Sequence, residues 1–300
     1  MDRRGARGKP RGLDSAARIV TPWALNNRGG EGPMDLAHLN RRGLVLVGCG
    51  RMGGALLQGW LARGLAPGAV HVVDPNAPAW VAERGVSVNG ALPADPAVLV
   101  LAVKPQMMGD VLAGLGNAAG TLVVSVAAGV TLAAYGRAFP GAAVVRAMPN
   151  TPAAIGQGIT AIVGNAQADA AALDLAQALM EAVGRVVRLD DESQMDAVTA
   201  VSGSGPAYVF HLIETLAAAG QAEGLPAELA LDLARTTVAG AGALAMAEGG
   251  DPARLREAVT SPAGTTAAGL SQLMDPETGL GPLMKRTVAA AAARGRELGQ

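Results

Sequence analysis

The stretch from Leu44 to Asp74 limits what this chain can fold into more than any other. It opens with Leu44-Val45-Leu46-Val47, a run that suits a strand buried on both faces, and Ala55 to Leu61 continue at helical spacing. Between them lie Gly48, Gly50 and Gly53 as G-x-G-x-x-G, and a second apolar run, Val70 to Val73, ends in Asp74. The glycine pattern alone is a weak signal. A strand before it, a helix after it and an acid twenty-one residues past Gly53 make it strong. Gly48 permits the tight turn, Gly50 lets the backbone approach a pyrophosphate, and Gly53 lets helix and strand pack closely. The unpaired N–H groups of the helix then face the phosphates, and Asp74 stands where an acid can bind an adenine ribose 2′-hydroxyl.

Three hundred residues suit one large domain or two ordinary ones. Half of them are hydrophobic but only 2% are aromatic, which favours close helix packing over a core built on large rings. A net charge of −1 implies no polyanion-binding surface, hence no nucleic-acid partner. Cys49, the single cysteine, cannot form an intrachain disulfide and fits a reduced, cytoplasmic setting as a small buried side chain. The uncharged run from Val111 to Gly136 is interrupted by Gly114, Gly116, Asn117, Gly120 and Gly129, so it reads as helix, turn, strand, helix and not as a membrane span. Nothing has the spacing of a metal-ligand cluster.

Residues 1–42 differ from the rest: they carry nine Lys or Arg, four Asp or Glu, many glycines and no sustained apolar period, which predicts disorder. They lack the apolar core of a secretory signal, their acids argue against a transit peptide, and Met34 is a candidate translation start. Further on, Ala79 to Gly85 reads as a short helix and Val86 to Val88 as a brief strand, with Asn89 in a loop. The run Ala97 to Val103 leads into Lys104-Pro105 and places Lys104, one of three lysines, at a strand's carboxyl end, where open α/β sheets bind ligands. Leu122 to Val126 is a strand leading to Ala127-Ala128-Gly129, whose small side chains let a flat ring lie against the backbone. Val144 to Ala147 precedes Met148-Pro149-Asn150-Thr151-Pro152, a loop held extended by two prolines. Ile159 to Val163, a helix over 168–182 and Val186 to Leu189 extend the sheet.

From Asp191 every segment reads as helix or turn, and the architecture changes near residue 205. Ser202-Gly203-Ser204-Gly205-Pro206 suggests a kink or a new helix start. The helix from Ala227 to Glu248 has no charge between Thr236 and Ala247, so it must be buried on all sides, and an intertwined homodimer follows. In Val259-Thr260-Ser261-Pro262-Ala263-Gly264-Thr265-Thr266, hydroxyls flank a proline where another helix begins. Such a turn suits a carboxylate and equally an ordinary helix cap.

Hydride transfer to a ketone needs a proton donor beside the cofactor. The helical half offers only His211, read as a packed core residue, and Lys285, read as a solvated charge. Hydroxyl and backbone donors without an acid suit an acceptor that is already activated. A protonated cyclic imine carrying a carboxylate is one.

Ala102-Val103-Lys104-Pro105, Ser125-Val126-Ala127-Ala128-Gly129, Met148 to Pro152, Ser202 to Tyr208 and Thr260 to Thr266 together resemble the pyrroline-5-carboxylate reductases. The likeness runs from about Gly43 to Leu298. It implies a Rossmann-type α/β domain over 43–205, then an all-helical dimerisation and substrate domain over 206–300, with the active site where they meet. The activity implied is reduction of 1-pyrroline-5-carboxylate to L-proline, the last step of proline biosynthesis. By position, Gly48, Cys49, Gly50, Arg51, Met52 and Gly53, with Asp74, Asn76, Asn89, Ala102, Val103, Lys104, Pro105, Ala127 and Ala128, would bind cofactor. Ser261, Gly264, Thr265 and Thr266 would hold substrate, with Thr266 beside the imine nitrogen as the catalytic position. The cofactor is NADPH or NADH: the family commonly uses NADPH, whereas Asp74 would repel a 2′-phosphate, although Asn76 and Asn89 could donate to one. Two other classes stay open, a β-hydroxyacid dehydrogenase, which wants a lysine where 105–284 has none, and a non-catalytic dinucleotide sensor.

Overall fold

The computed structural model describes residues 34–116 and 118–299. Helix α1 (Leu36–Arg42) leads into β1 (Leu44–Val47), α2 (Arg51–Ala62), β2 (Val70–Val73), α3 (Ala79–Glu83), β3 (Ser87–Val88) and β4 (Val98–Leu101). Then come α4 (Met108–Gly114), β5 (Leu122–Ser125), α5 (Leu132–Ala138), β6 (Val144–Met148), β7 (Gly158–Gly164), α6 (Ala170–Met180) and β8 (Gly184–Arg188). The strands form one sheet in the order β3-β2-β1-β4-β5-β6-β7-β8. All neighbours are parallel except β6 and β7, whose antiparallel register pairs Val145 with Gly164 and Met148 with Ala161.

The continuous apolar runs are explained by burial on both faces of this sheet. Leu44 and Leu46 pack in one cluster with Leu56, Leu57 and Trp60 of α2 and Leu179 of α6. Val45 and Val47 enter the other with Met108, Tyr135 and Phe139 of α4 and α5. Trp60 Nε1 donates to the carbonyl of Leu179 at 2.9 Å, and a Cβ on Gly59 would come within 2.7 Å of the Ala182 carbonyl oxygen. The packing of α2 on the 3₁₀ turn after α6 (Glu181–Val183) therefore depends on a small residue at Gly59.

The disorder expected over 1–42 does not extend to its last residues, while 1–33 and the translation-start question lie outside the described residues. Asp35 caps α1 by accepting from the His38 N–H at 2.9 Å, and Leu39 is fully buried. Arg42 donates to the carbonyls of Asp95, Pro96 and Gly120 and pairs with the Asp95 carboxylate, tying the helix to the loops before β4 and β5. The basic composition concealed one anchored turn, because a single buried leucine has no periodicity to detect.

After β8 the chain is helical: α7 (Met195–Val198), a π-helical turn over Thr199–Gly203, α8 (Gly205–Ala222), α9 (Ala227–Glu248), α10 (Pro252–Ala258), α11 (Thr265–Leu273) and α12 (Leu280–Leu298). The expected kink at Ser202–Pro206 is this π turn running into α8. Helices α8 and α9 pack along each other, and α12 returns to pack on α7 and the π turn. Neither α10 nor α11 packs broadly on another element of the same chain. Phe210 is 59% exposed and Met246 55%, and Leu212, Leu231, Leu233 and Leu244 are exposed beside them. Of the described helices only α9 is long and apolar enough to cross a membrane. The burial on all sides expected from its sequence is not met within one chain, where only Ala230 and Ala234 are buried, and its open apolar face fits a helix that a second copy covers.

Leu39→Ala should lower stability by roughly 2–5 kcal/mol, the usual cost of a large-to-small core change. Urea denaturation at fixed protomer concentration measures this, and a loss below ~0.5 kcal/mol would mean that α1 is not part of the folded core.

Candidate active site

The carboxyl ends of β3, β2, β1, β4 and β5 lie side by side, and the loops leaving them, with the first turn of α2, carry every residue expected to touch a cofactor. Gly48 has φ +91°, its N–H donates to the Val73 carbonyl at 2.9 Å, and a Cβ there would lie 2.8 Å from the Ala102 carbonyl. A Cβ on Gly53 would lie 2.1 Å from the Gly48 oxygen. These two glycines are demanded by the protein's own backbone. Gly50 is different: nothing lies within 4 Å of its would-be Cβ, and no side chain caps the start of α2. An open surface facing an uncapped helix N-terminus fits a diphosphate, which needs both backbone approach and free N–H donors. Arg51 is exposed there and Met52 is half-buried.

Asp74 is tied into the same turn. Its Oδ2 accepts from the Cys49 N–H at 2.6 Å and its Oδ1 from the Asn76 N–H at 2.8 Å. Asn89, at φ +51°, spends both ends of its amide on the main chain of Asp74: Oδ1 accepts from the Asp74 N–H at 3.0 Å, and Nδ2 donates to its carbonyl at 2.9 Å. Asn89 thus holds the acid in place first, with one amide hydrogen left for a ligand. Burial, helped by the Asp74 carboxylate, pushes the Cys49 thiol up to about 11. Ala102 and Val103 are half-buried, Pro105 opens a 3₁₀ turn, and Lys104 is exposed beside them. Ala127 is buried and Ala128 half-buried after β5, and the Ala127 N–H donates to Ser125 Oγ at 3.3 Å.

The residues expected to hold substrate form a second group, between α10 and α11. Ala263 sits at φ +57°, the Gly264 N–H donates to the Ser261 carbonyl at 3.1 Å, and a Cβ on Gly264 would meet Ser261 Oγ at 2.3 Å. Thr265 and Thr266 lie in the uncapped first turn of α11, exposed like Ser261, so nothing in the single chain covers them. His211, expected to be packed, is not so within the single chain: its side chain is 75% exposed and lies 3.1 Å from the Glu214 carboxylate. Lys285 is solvated on α12 as expected, and no metal cluster occurs among the described residues.

Sequence reasoning gave no role to two joints between the halves. Asn150 accepts from the Ile159 N–H at 3.0 Å and donates to Ser202 Oγ at 3.3 Å, joining the loop after β6 to the π turn. Glu192 accepts from Arg146 in β6 and from the Leu132 N–H of α5. Asn150 could have been picked out between its two prolines; an isolated acid after a strand gives no local signal.

A dinucleotide-type glycine turn on a mainly parallel sheet, followed by a helical half with open apolar faces, is the build of a nicotinamide-dependent oxidoreductase with a separate dimerisation region. Residues 43–129 match the family model for NADP oxidoreductase coenzyme F420-dependent, and residues 192–298 match that for pyrroline-5-carboxylate reductase dimerisation. The chain is 39% identical over 269 residues to the Pseudomonas aeruginosa pyrroline-5-carboxylate reductase, covering 86% of this chain and 97% of that one. It is 47% identical over 204 residues to the Synechocystis enzyme, covering 68% and 75%. The solved Coxiella burnetii pyrroline-5-carboxylate reductase superposes with a TM-score of 0.76 at 32% identity, over 86% of this chain and 99% of that one. The Plasmodium falciparum pyrroline carboxylate reductase with NADP bound also scores 0.76, at 25% identity, over 87% and 99%. This chain belongs to the pyrroline-5-carboxylate reductase family.

Two alanine variants separate the glycine roles. Gly53→Ala should unfold the turn and lower Tm. Gly50→Ala should leave Tm unchanged while weakening dinucleotide binding about 10-fold or more, read by fluorescence titration. Because the raised pKa keeps Cys49 protonated and burial shields it, a thiol-specific disulfide reagent at pH 8 should label the native protein only as fast as it opens. Stoichiometric labelling within seconds would contradict the buried geometry.

Proposed function

We propose that this chain reduces 1-pyrroline-5-carboxylate to L-proline with a reduced nicotinamide dinucleotide, acting as a cytoplasmic homodimer. The observation that carries this reading is the presence, in one chain of this family, of both an open diphosphate cradle at Gly50 and a hydroxyl-rich turn over 260–266. A bound dinucleotide supplies the hydride. Gly48, Gly50 and the first turn of α2 hold its diphosphate, Asp74 its adenine ribose, and the loops at Ala102–Pro105 and Ala127–Ala128 shape the nicotinamide side.

Ser261, Thr265 and the free N–H groups of α11 donate to the substrate carboxylate, so the charge is met by dipoles and hydroxyl donors. Thr266 places its hydroxyl beside the imine nitrogen. No protein acid is required, because the imine carries its proton before reaction and becomes the secondary amine when hydride adds to the C=N carbon. What the protein must supply is orientation and exclusion of water. A single chain leaves Thr266 exposed, and the open faces of α8, α9 and α11 mark where a second copy closes the site. Asp74, with its carboxylate fixed by Cys49 and Asn76, favours NADH by repelling a 2′-phosphate.

Three measurements test this. Oxidation of NAD(P)H should depend on 1-pyrroline-5-carboxylate, with kcat/KM higher for NADH; a strong NADPH preference would overturn the role given to Asp74. Thr266→Ala should lower kcat/KM by about 100-fold, the scale of a lost transition-state donor, without changing dinucleotide affinity. Sedimentation should show no monomer at micromolar concentration and will distinguish dimers from larger rings.

A further inference from the structure

Behind the Ala127–Gly129 loop lies a set of polar groups that the chemistry above does not use. Ser125 is 1% exposed and Tyr135 fully buried, and their hydroxyls are hydrogen-bonded. Ser125 Oγ also accepts from the Ala127 N–H, so the loop's first residue rests on this pair. Burial pushes the Tyr135 phenol up to about 12, against the opposing pull of its Ser125 hydrogen bond and the nearby Arg146 charge, so it stays protonated across the working range.

The loop's exit is fixed from elsewhere. Thr131 caps α5 by accepting from the Ala134 N–H at 3.2 Å, and the Leu132 N–H donates to Glu192 Oε1 at 2.7 Å. That same oxygen receives Arg146 Nη1, whose side chain is only 8% exposed in the middle of the sheet. Glu192 is 30% exposed and begins the turn that leads into α7, so it belongs to the helical half. One carboxylate oxygen therefore joins that half to a buried strand and to the helix leaving the loop. A simple stabilising ion pair would not need the Leu132 contact. An exposed pair such as Arg188 with Asp174 contributes little.

We propose that Glu192 is a positioning residue for hydride transfer, holding the Ala127–Gly129 loop at the nicotinamide against the helical half that carries the substrate turn. This rests on the reading that this loop faces the nicotinamide ring. Loss of the Glu192 link would let the loop drift relative to the substrate while leaving the diphosphate cradle and the ribose contacts intact. Transfer geometry, and not cofactor affinity, is what would suffer. Displacements near 1 Å cost on the order of 100-fold in such reactions.

The test uses full-length Glu192→Gln, with Asp174→Asn as a surface control, 1-pyrroline-5-carboxylate, and reduced dinucleotide deuterated at C4. An isotope effect is a ratio over active molecules, so partial unfolding does not move it. Glu192→Gln should lower kcat by about 10-fold or more with KM for the dinucleotide changed less than about threefold, and its primary isotope effect should be larger or more steeply temperature-dependent than wild type. The control should match wild type in all three. If removing the charge prevents folding, Glu192→Asp keeps a negative charge near Arg146 while shortening the reach to both donors, and should show the same signature. Wild-type kcat, or a loss that tracks folded enzyme with the isotope effect unchanged, overturns the positioning role. Absence of substrate-dependent oxidation in the wild type would overturn the proposed reaction itself.

Discussion

The contact on which this structure depends is the one between Gly53 and the carbonyl oxygen of Gly48, where even a methyl group would come within 2.1 Å of backbone. It draws the first turn of α2 down onto the end of β1. With α2 so placed, Leu56, Leu57 and Trp60 reach the core on one face of the sheet, and the free N–H groups of the helix are aimed over the sheet's carboxyl edge. Packing and ligand geometry are thus set by the same close approach, and a side chain at Gly53 would remove both. Asp74 is part of the same unit, since the N–H of Cys49 within the turn fixes its carboxylate.

A chain that is only 16% charged has few polar groups to spend, and it spends them at joints. Arg42 ties the leading helix to two loops, Asn150 ties the loop after β6 to the π turn, and Glu192 ties β6 and α5 to the helical half. Each satisfies backbone groups or a buried charge that would otherwise be costly, and each lies where two apolar layers end. Side chains in such places fix the relative orientation of the layers, which the non-directional packing of alanine, leucine and valine does not specify.

What could be read from the sequence follows from how local each signal is. The glycine turn, the strands over 44–47, 98–101 and 122–125 and the helix over 227–248 are written in spacing and composition alone. The antiparallel placement of β7 is not, because Ile159 to Val163 would look the same in either direction and the choice is made by pairing with β6. Leu39 was hidden in a basic segment, and Glu192 by its isolation. His211, read as packed, is exposed in the single chain together with its neighbours Phe210 and Leu212, which local spacing could not show. Among the candidate site residues, Asn89 was placed correctly in its loop, but the backbone bonds it makes to Asp74 need coordinates to see.

The helical half shows the limit of reasoning from one copy. Phe210, Leu212, Leu244 and Met246 are each about half open to water, which leaves on the order of 1 kcal/mol of burial energy unrealised per side chain. Helices α8 and α9 each carry several such side chains, and no other described element of the chain packs over them broadly enough to cover that face. Thr265 and Thr266 are open as well, on a helix that packs broadly on no other element of the same chain. On the proposed reading, pairing would have to cover the hydroxyl turn as well as the apolar helices, and a protomer that has not paired would have no finished site.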